Sequence, residues 1–391
     1  MDFKKMAQDV QEKVVAFRRD LHMNPEPSLG EFRTTKQIAA ALDELGVEYR
    51  LLDPTGVIAE VHGTKGPGKT VALRGDIDAL SIQEQTGLPY ASQVAGMMHA
   101  CGHDTHASML LGSVMVLNAI KDQFAGTVRF IFQPAEEVGA GATLAIQQGC
   151  LEGVDGIYGV HIGAQKAAHM LTSSAGPHHA AADRYVIKIH GAACHGAGPH
   201  KGRDATVCGA AMVMALQTMV SREFNPMVPL VVTVGKFHGG SMYNIICPDV
   251  ELVGTIRTYS RKLRHDLEAD LNKIIKNTAE AHDCTAELEF SPMLPAVINE
   301  DPELNEIAQN AALKLFGPEG VKNDMPALMG SEDFALFMEK IPAFFAFIGS
   351  RNVEKGLIYT NHNEKYTVDE SVLWRGSALT AQFAYDFLNN K

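Results

Sequence analysis

Apolar residues at Phe3, Met6, Val10, Val14, Phe17 and Leu21 recur every three or four positions, the period of one helical face. Asn24-Pro25 marks the end of that helix. A second helical pattern covers 31–45 and is closed by Gly46. Short β-rich runs follow at 47–52, 57–62 and 70–75. Residues 107–121 are apolar nearly all round, the mark of a buried helix. TVRFIF (127–132) is a strand stopped by Pro134, 140–149 a helix ending at Gly149, and GIYGV (156–160) a strand running into His161.

Helices that alternate with apolar strands predict an α/β sheet, mixed but mainly parallel and flanked by helices. Asp76 and Asp78, Glu136 and Glu137, and His161 all fall just past the carboxyl ends of predicted strands, where open α/β sheets place their ligand crevice. After Pro177 the texture changes. Strands at 182–191, 229–240, 249–260 and 285–291 alternate with helices at 204–221 and 261–281, the β-α-β-β-α-β order of a ferredoxin-like unit. This predicts an inserted α+β domain over 179–290, with 1–178 and 291–391 forming one discontinuous domain around it. Beyond it, 302–316 reads as a helix, Ser331 as the cap of a helix beginning SEDFALFMEK, 343–349 as a buried strand, and 371–388 as the last helix.

At 391 residues and 46% hydrophobic, the chain can bury two cores. Thirty-four basic against 46 acidic residues give a net charge of −12, which argues against nucleic acid or an anionic membrane as partner. No apolar run is long enough to span a bilayer, and the first twenty residues lack the apolar core of a secretory signal. Six scattered cysteines form no disulfide framework, so a reducing, cytoplasmic setting is expected.

The densest chemistry lies in MMHACGHDTHAS (97–108), with one thiol, three imidazoles and a carboxylate. Thiolate and neutral imidazole suit borderline-soft divalent metals, and Gly102 lets Cys101 and His103 turn toward one ion. An inert buried thiol in a polar loop is the plainer alternative. Adjacent Glu136 and Glu137 diverge as side chains, so one can bind metal while the other moves protons, although an acidic pair is often only a solvated turn. His161 and His362 taken singly are a part-buried and a surface histidine. Asp104 either orients a ligand imidazole or caps a helix. Together Cys101, His103, Glu137, His161 and His362 are too many ligands for one closed tetrahedral site and suit two ions sharing one of them. Residues 63–70, GTKGPGKT, match the phosphate-cradling G-x-x-x-x-G-K-[ST] pattern, but the apolar VALRGDIDAL that follows predicts a strand where that loop needs a helix. A nucleotide-dependent enzyme using 63–70 is therefore the rival from another class. A cysteine nucleophile at Cys101, activated by His103, is a further one.

The segments RRDLHMNPEPSLGEFRT (18–34), RGDIDALSIQE (74–84), MHACGHDTHASMLLG (98–112), FQPAEEVGAGA (132–142), GVHIG (159–163), CHGAGPHKGRDA (194–205), NIICPDVELVGTIRTY (244–259), MGSEDFALF (329–337) and NHNEKYTVDE (361–370) occur in one order over nearly the whole chain. In this the chain resembles the M20 metallopeptidase family, in its amidohydrolase branch of N-acyl-amino-acid, hippurate and auxin-conjugate hydrolases. The resemblance implies two divalent ions (manganese, zinc, cobalt or nickel) bridged by Cys101 and completed by His103, Glu137, His161 and His362, with Asp76 and Asp104 behind the ligands. It implies Glu136 as general base and acid, and 179–290 as a lid through which a homodimer or homotetramer forms. His195 would donate to the oxyanion at a neighbouring subunit's site, and Asn244 and Arg257 would hold a substrate carboxylate. The implied reaction is hydrolysis of an N-acyl amino acid, with a dipeptidase or a deacetylase of the N-acetyl-diaminopimelate type as alternatives. Departures lie in IGAQKAAHM after His161, in Cys194 before His195, and in Ala79-Leu80-Ser81, all outside the ligands.

Overall fold

The structure, a computed structural model, describes residues 1–324 and 326–390. In chain order the elements are α1 (Phe3–Asp9), α2 (Gln11–Met23), α3 (Phe32–Leu45), β1 (Glu48–Leu51), β2 (Val57–His62), β3 (Thr70–Asp76), α4 (His103–Ala119), β4 (Thr127–Gln133), α5 (Gly141–Gln147), β5 (Gly156–Ala167) and β6 (Leu171–Thr172). Then come β7 (Gly176–His179), β8 (Ala181–His190), α6 (Ala205–Thr218), β9 (Leu230–Gly239), β10 (Asp249–Thr258), α7 (Arg261–Glu280) and β11 (Thr285–Leu294). The chain closes with β12 (Val297–Asn299), α8 (Pro302–Gly320), α9 (Ala335–Met338), β13 (Ala343–Arg351) and α10 (Leu373–Asn389).

Two compact units result: Met1–Gly176 with Ile298–Pro326 and Asp333–Lys391, and Pro177–Val297 with Ala327–Glu332. The second takes more chain than 179–290 because β11 pairs with β8 as far as Leu294. It also takes 327–332, where the Ala180 N–H bonds to the carbonyls of Leu328 and Gly330.

The first unit is built on a sheet of order β1-β2-β4-β3-β5-β13-β6 among the described residues. Its centre, β4-β3-β5-β13, is parallel, while β1, β2 and β6 join antiparallel at the edges. The central strands are buried along their length, as strands covered on both faces must be. Helix α4 is buried almost throughout and packs on α10. Glycine makes that contact possible: a Cβ on Gly112 would overlap Ser377, and one on Gly376 would overlap the Met109 sulfur. The second unit is a four-stranded antiparallel sheet, β11-β8-β10-β9, with α6 and α7 packed on the face carrying Tyr185, Ile187, Ile189, Val250 and Leu252.

Two local expectations are corrected and a third is met. His161 lies inside β5 rather than past its end, since β5 stays paired with β13 through Gly163 and again at Ala167. Ser331 caps no helix: α9 begins only at Ala335, and the Ser331 hydroxyl accepts a hydrogen bond from Arg257 Nη1 at 3.1 Å. Residues 63–69 lead into β3, so no helix N-terminus stands where a nucleotide phosphate would need one. Lys69 of that loop pairs with Glu303 instead.

Gly112→Ala tests the α4–α10 contact. Helix propensity alone would favour alanine by about 1 kcal/mol, whereas overpacking costs about 1–3 kcal/mol. A net loss of stability in urea unfolding, with unchanged slope, is expected.

Candidate metal centre

The polar ends of β3 and β4 are tied together before any candidate ligand is added. Buried Arg74 donates to Gln133 Oε1 (2.8 Å), Asp76 Oδ2 (2.7 Å) and Asp333 Oδ1 (2.8 Å). Beyond β4, Pro134 ends the strand and Ala135 takes a left-handed conformation (φ 54°), throwing Glu136 and Glu137 back across the sheet end. Gly102 (φ 93°) precedes α4, and a Cβ there would lie 2.6 Å from Ile162 Cγ2. Glycine is thus required on two grounds. The helix starts at His103, earlier than the apolar pattern from 107 implies, so His103 and His106 share its first turns.

Cys101, His103 and His161 form one cluster, with Cys101 Sγ 3.5 Å from His161 Nε2. Cys101, Glu137 and His362 form a second, with Glu137 Oε1 3.6 Å from His362 Nε2. His103 Nε2 stands 3.8 Å from Glu137 Oε1 and 3.9 Å from Glu136 Oε2. Cys101 belongs to both clusters. His362 reaches the cluster from a loop in which it has φ 67° and its N–H bonds to the Ala100 carbonyl (2.8 Å).

This donor set fits divalent cations on an observation of its own. His103 Nε2 and Glu137 Oε1 are buried and meet no hydrogen-bond partner, an arrangement that is costly for bare polar atoms. Donors bound at about 2.0–2.3 Å to one tetrahedral ion stand roughly 3.3–3.8 Å apart, the range seen here. Burial pushes the Cys101 thiol and the Glu137 carboxyl up, with His103 opposing both shifts. Burial acts to lower the His103 pKa, but Asp76, Cys101 and Asp78 outweigh it and raise it well above the ordinary imidazole range.

Asp78 orients this group. Its Oδ1 lies 3.0 Å from His103 Nδ1, and its Oδ2 accepts from the Glu137 N–H (3.0 Å) and the Ser28 hydroxyl (2.7 Å). Asp76 serves His106, whose Nδ1 is 2.5 Å from Oδ1, and His106 Nε2 accepts the Ile162 N–H beside His161. Asp104 is a correction. It orients no candidate ligand but pairs with Arg18 Nε (2.7 Å) and His22 Nδ1 (2.8 Å) of α2, because the first turn of α4 directs it there. Asn361, beside His362, donates to the Cys101 carbonyl. Sequence reasoning gave Ser28, Asn361 and Arg74 no role, and Asp78 only a place at a strand end.

His195, Asn244 and Arg257 belong to the second unit. His195 and Asn244 meet: the Gly196 N–H bonds to the Asn244 carbonyl at 2.8 Å, and His195 bridges to Ile245. Arg257 does not join them. They lie beside the Asp249 end of β10 and Arg257 near the other, roughly 25 Å along the strand. The expectation that Asn244 and Arg257 hold one carboxylate is therefore not met within a single chain.

The sequence pattern of peptidase family M20/M25/M40 matches residues 72–386. The chain belongs to the M20 family. It is 38% identical over 376 residues to an N-acetylcysteine deacetylase of Bacillus subtilis, covering 95% of this chain and 96% of that one. It is 36% identical over 386 residues to thermostable carboxypeptidase 2 of Saccharolobus solfataricus, covering 97% of each. A crystal structure of a dinuclear metal-binding M20 peptidase from Bacillus subtilis superposes with a TM-score of 0.87 at 34% identity, covering 98% of this chain and 100% of the other. As an M20 enzyme, the chain is a metal-dependent hydrolase of the amidohydrolase and peptidase type.

Asp78→Ala removes the acceptor shared by His103 and Glu137. Loss of such an orienting partner typically costs 10–100-fold in metal affinity. That loss is expected in calorimetric titration of metal-free protein with zinc or manganese, with the far-ultraviolet circular dichroism unchanged.

Proposed function

We propose that this M20 hydrolase cleaves the amide bond of N-acyl amino acids, with two divalent ions held by Cys101, His103, Glu137, His161 and His362. The observation that carries the reading is the placement of Glu136. Its carboxylate stands 3.9 Å from His103 Nε2 while its neighbour Glu137 faces His103 and His362. Cys101, common to both clusters, would be the residue available to both ions. When bound, such ions acidify water and polarise the acyl carbonyl.

The chain's own groups do the rest. Glu136 takes the proton of the attacking water and returns it to the departing amine nitrogen. Asp78 keeps His103 in one tautomer and orientation. His195 donates to the oxyanion, an interaction whose loss typically costs about 10²–10³ in rate. Asn244 and Arg257 hold the substrate carboxylate from two different copies of the chain, which the length of β10 between them requires if they serve one site.

A homodimer supports this arrangement. Helix α6 leaves Val207 (53% exposed) and Met214 (69%), one helical face apart by seven residues, open beside the edge strand β9. We assign that face to a second copy. Met214→Glu should then halve the mass seen by sedimentation and lower activity with it; a native-sized Met214→Glu protein removes this face from the interface.

A carboxypeptidase among the relatives keeps small peptides with a free carboxylate as the second substrate class. Acetyl, benzoyl and aminoacyl derivatives assayed side by side on metal-replete enzyme decide between them, with the N-acyl amino acids expected to turn over fastest. In the same assay Glu136→Gln should keep both ions by elemental analysis yet lose at least about 10² in kcat. Full activity in that variant removes Glu136 from the reaction.

A further inference from the structure

The loop between α2 and α3 has no part in the chemistry above, yet it reaches the centre twice. Ser28 donates to Asp78 (2.7 Å), the carboxylate that orients His103 and Glu137. Three residues on, Glu31 is fully buried. One of its oxygens accepts the Ala135 N–H at 2.8 Å and the other the Thr55 hydroxyl at 2.6 Å. The loop itself is anchored, since the Glu26 side chain takes the N–H groups of Arg33 and Thr34 and its carbonyl takes that of Ala79.

Ala135 needs such a partner. A residue with a Cβ resists φ near +54°, where the side chain crowds its own carbonyl. Its carbonyl is held by the N–H groups of Ala140 and Gly141, so the N–H side of the peptide is where the conformation is decided. If Ala135 relaxed to an ordinary φ, the direction of the chain into Glu136 and Glu137 would change.

We propose that Glu31 is a positioning residue: by accepting the Ala135 N–H it holds Ala135 in the left-handed conformation that aims Glu136 and Glu137 at His103. This rests on the roles given above to Glu136 and Glu137. It adds a cause for their geometry on a carboxylate that touches neither substrate nor metal. Glycine, which adopts that φ freely, should reduce the dependence on Glu31.

The test uses the full chain and four variants: Glu31→Leu, Glu31→Asp, Glu31→Gln and the double variant Glu31→Asp/Ala135→Gly. Glu31→Asp keeps the charge but shortens the arm, so it remains informative if Glu31→Leu does not fold. Expected for Glu31→Asp are a kcat at least tenfold lower with KM changed less than threefold, and a tenfold weaker affinity for zinc in titration of metal-free protein. Hydrogen–deuterium exchange of 132–138 should also be faster in that metal-free protein. Glu31→Gln, which keeps an acceptor oxygen at the same reach, and the double variant should each recover at least fivefold of the lost kcat. A rescue by glycine at 135 is non-additive, and a merely structural loss would not show it. Native kcat in Glu31→Asp overturns the proposal, and so does a double variant no better than Glu31→Asp. Faster exchange without loss of kcat overturns it as well. If Glu136→Gln proves active while the exchange and affinity changes persist, the reading of Glu136 fails and the bracing by Glu31 stands.

Discussion

The end of the first unit's sheet answers to one constraint: several electron-pair donors are crowded within a few ångströms, with Cys101 and His103 buried and only His362 exposed among them. His103 Nε2 and Glu137 Oε1 are buried, stand 3.8 Å apart and meet no hydrogen-bond partner. A protein interior tolerates that only if something positive compensates. The surrounding carboxylates and cations then make sense as a frame. Arg74 neutralises Asp76 and Asp333, Asp78 grips His103 and Glu137, and Arg18 with His22 neutralises Asp104. His103 and Glu137 are both backed by Asp78, which fixes their direction before a ligand arrives.

What the sequence made legible were features of short range and of chemistry. Strand ends mark where polar residues gather, and Asp76, Asp78, Glu136 and Glu137 do gather at the ends of β3 and β4. A thiol two residues from an imidazole across a glycine announces a turn, and Gly102 makes it. The β-α-β-β-α-β order is visible because its strands are short strand-like runs set around two long helical patterns.

What it did not show depends on contacts made across the chain. Glu31 meets Ala135 over 104 positions, and nothing in LGEF says that its carboxylate will be buried against PAEE. Asp104 looked like a carboxylate beside a ligand, but helical geometry sends adjacent side chains in different directions, and it meets α2 instead. Ser331 has the composition of a helix cap, yet its hydroxyl is engaged by Arg257 of the second unit, so the helix starts later. Strand length sets the limit for Asn244 and Arg257: residues close in a motif can stand at opposite ends of one β-strand.

The order of strands in the first unit also bears on how the protein is made. β13 lies between β5 and β6, although its first residue, Ala343, follows the last residue of β6, Thr172, by 171 positions. The parallel sheet therefore stays open along β5 until the ribosome has delivered the entire inserted unit and then β13. Throughout that interval an apolar strand edge is exposed, the situation in which nascent chains associate wrongly. The inserted unit, with its own core and local β-α-β pairings, emerges complete but for six residues in the meantime. Synthesis thus delivers the candidate ligands in two instalments, His362 arriving last.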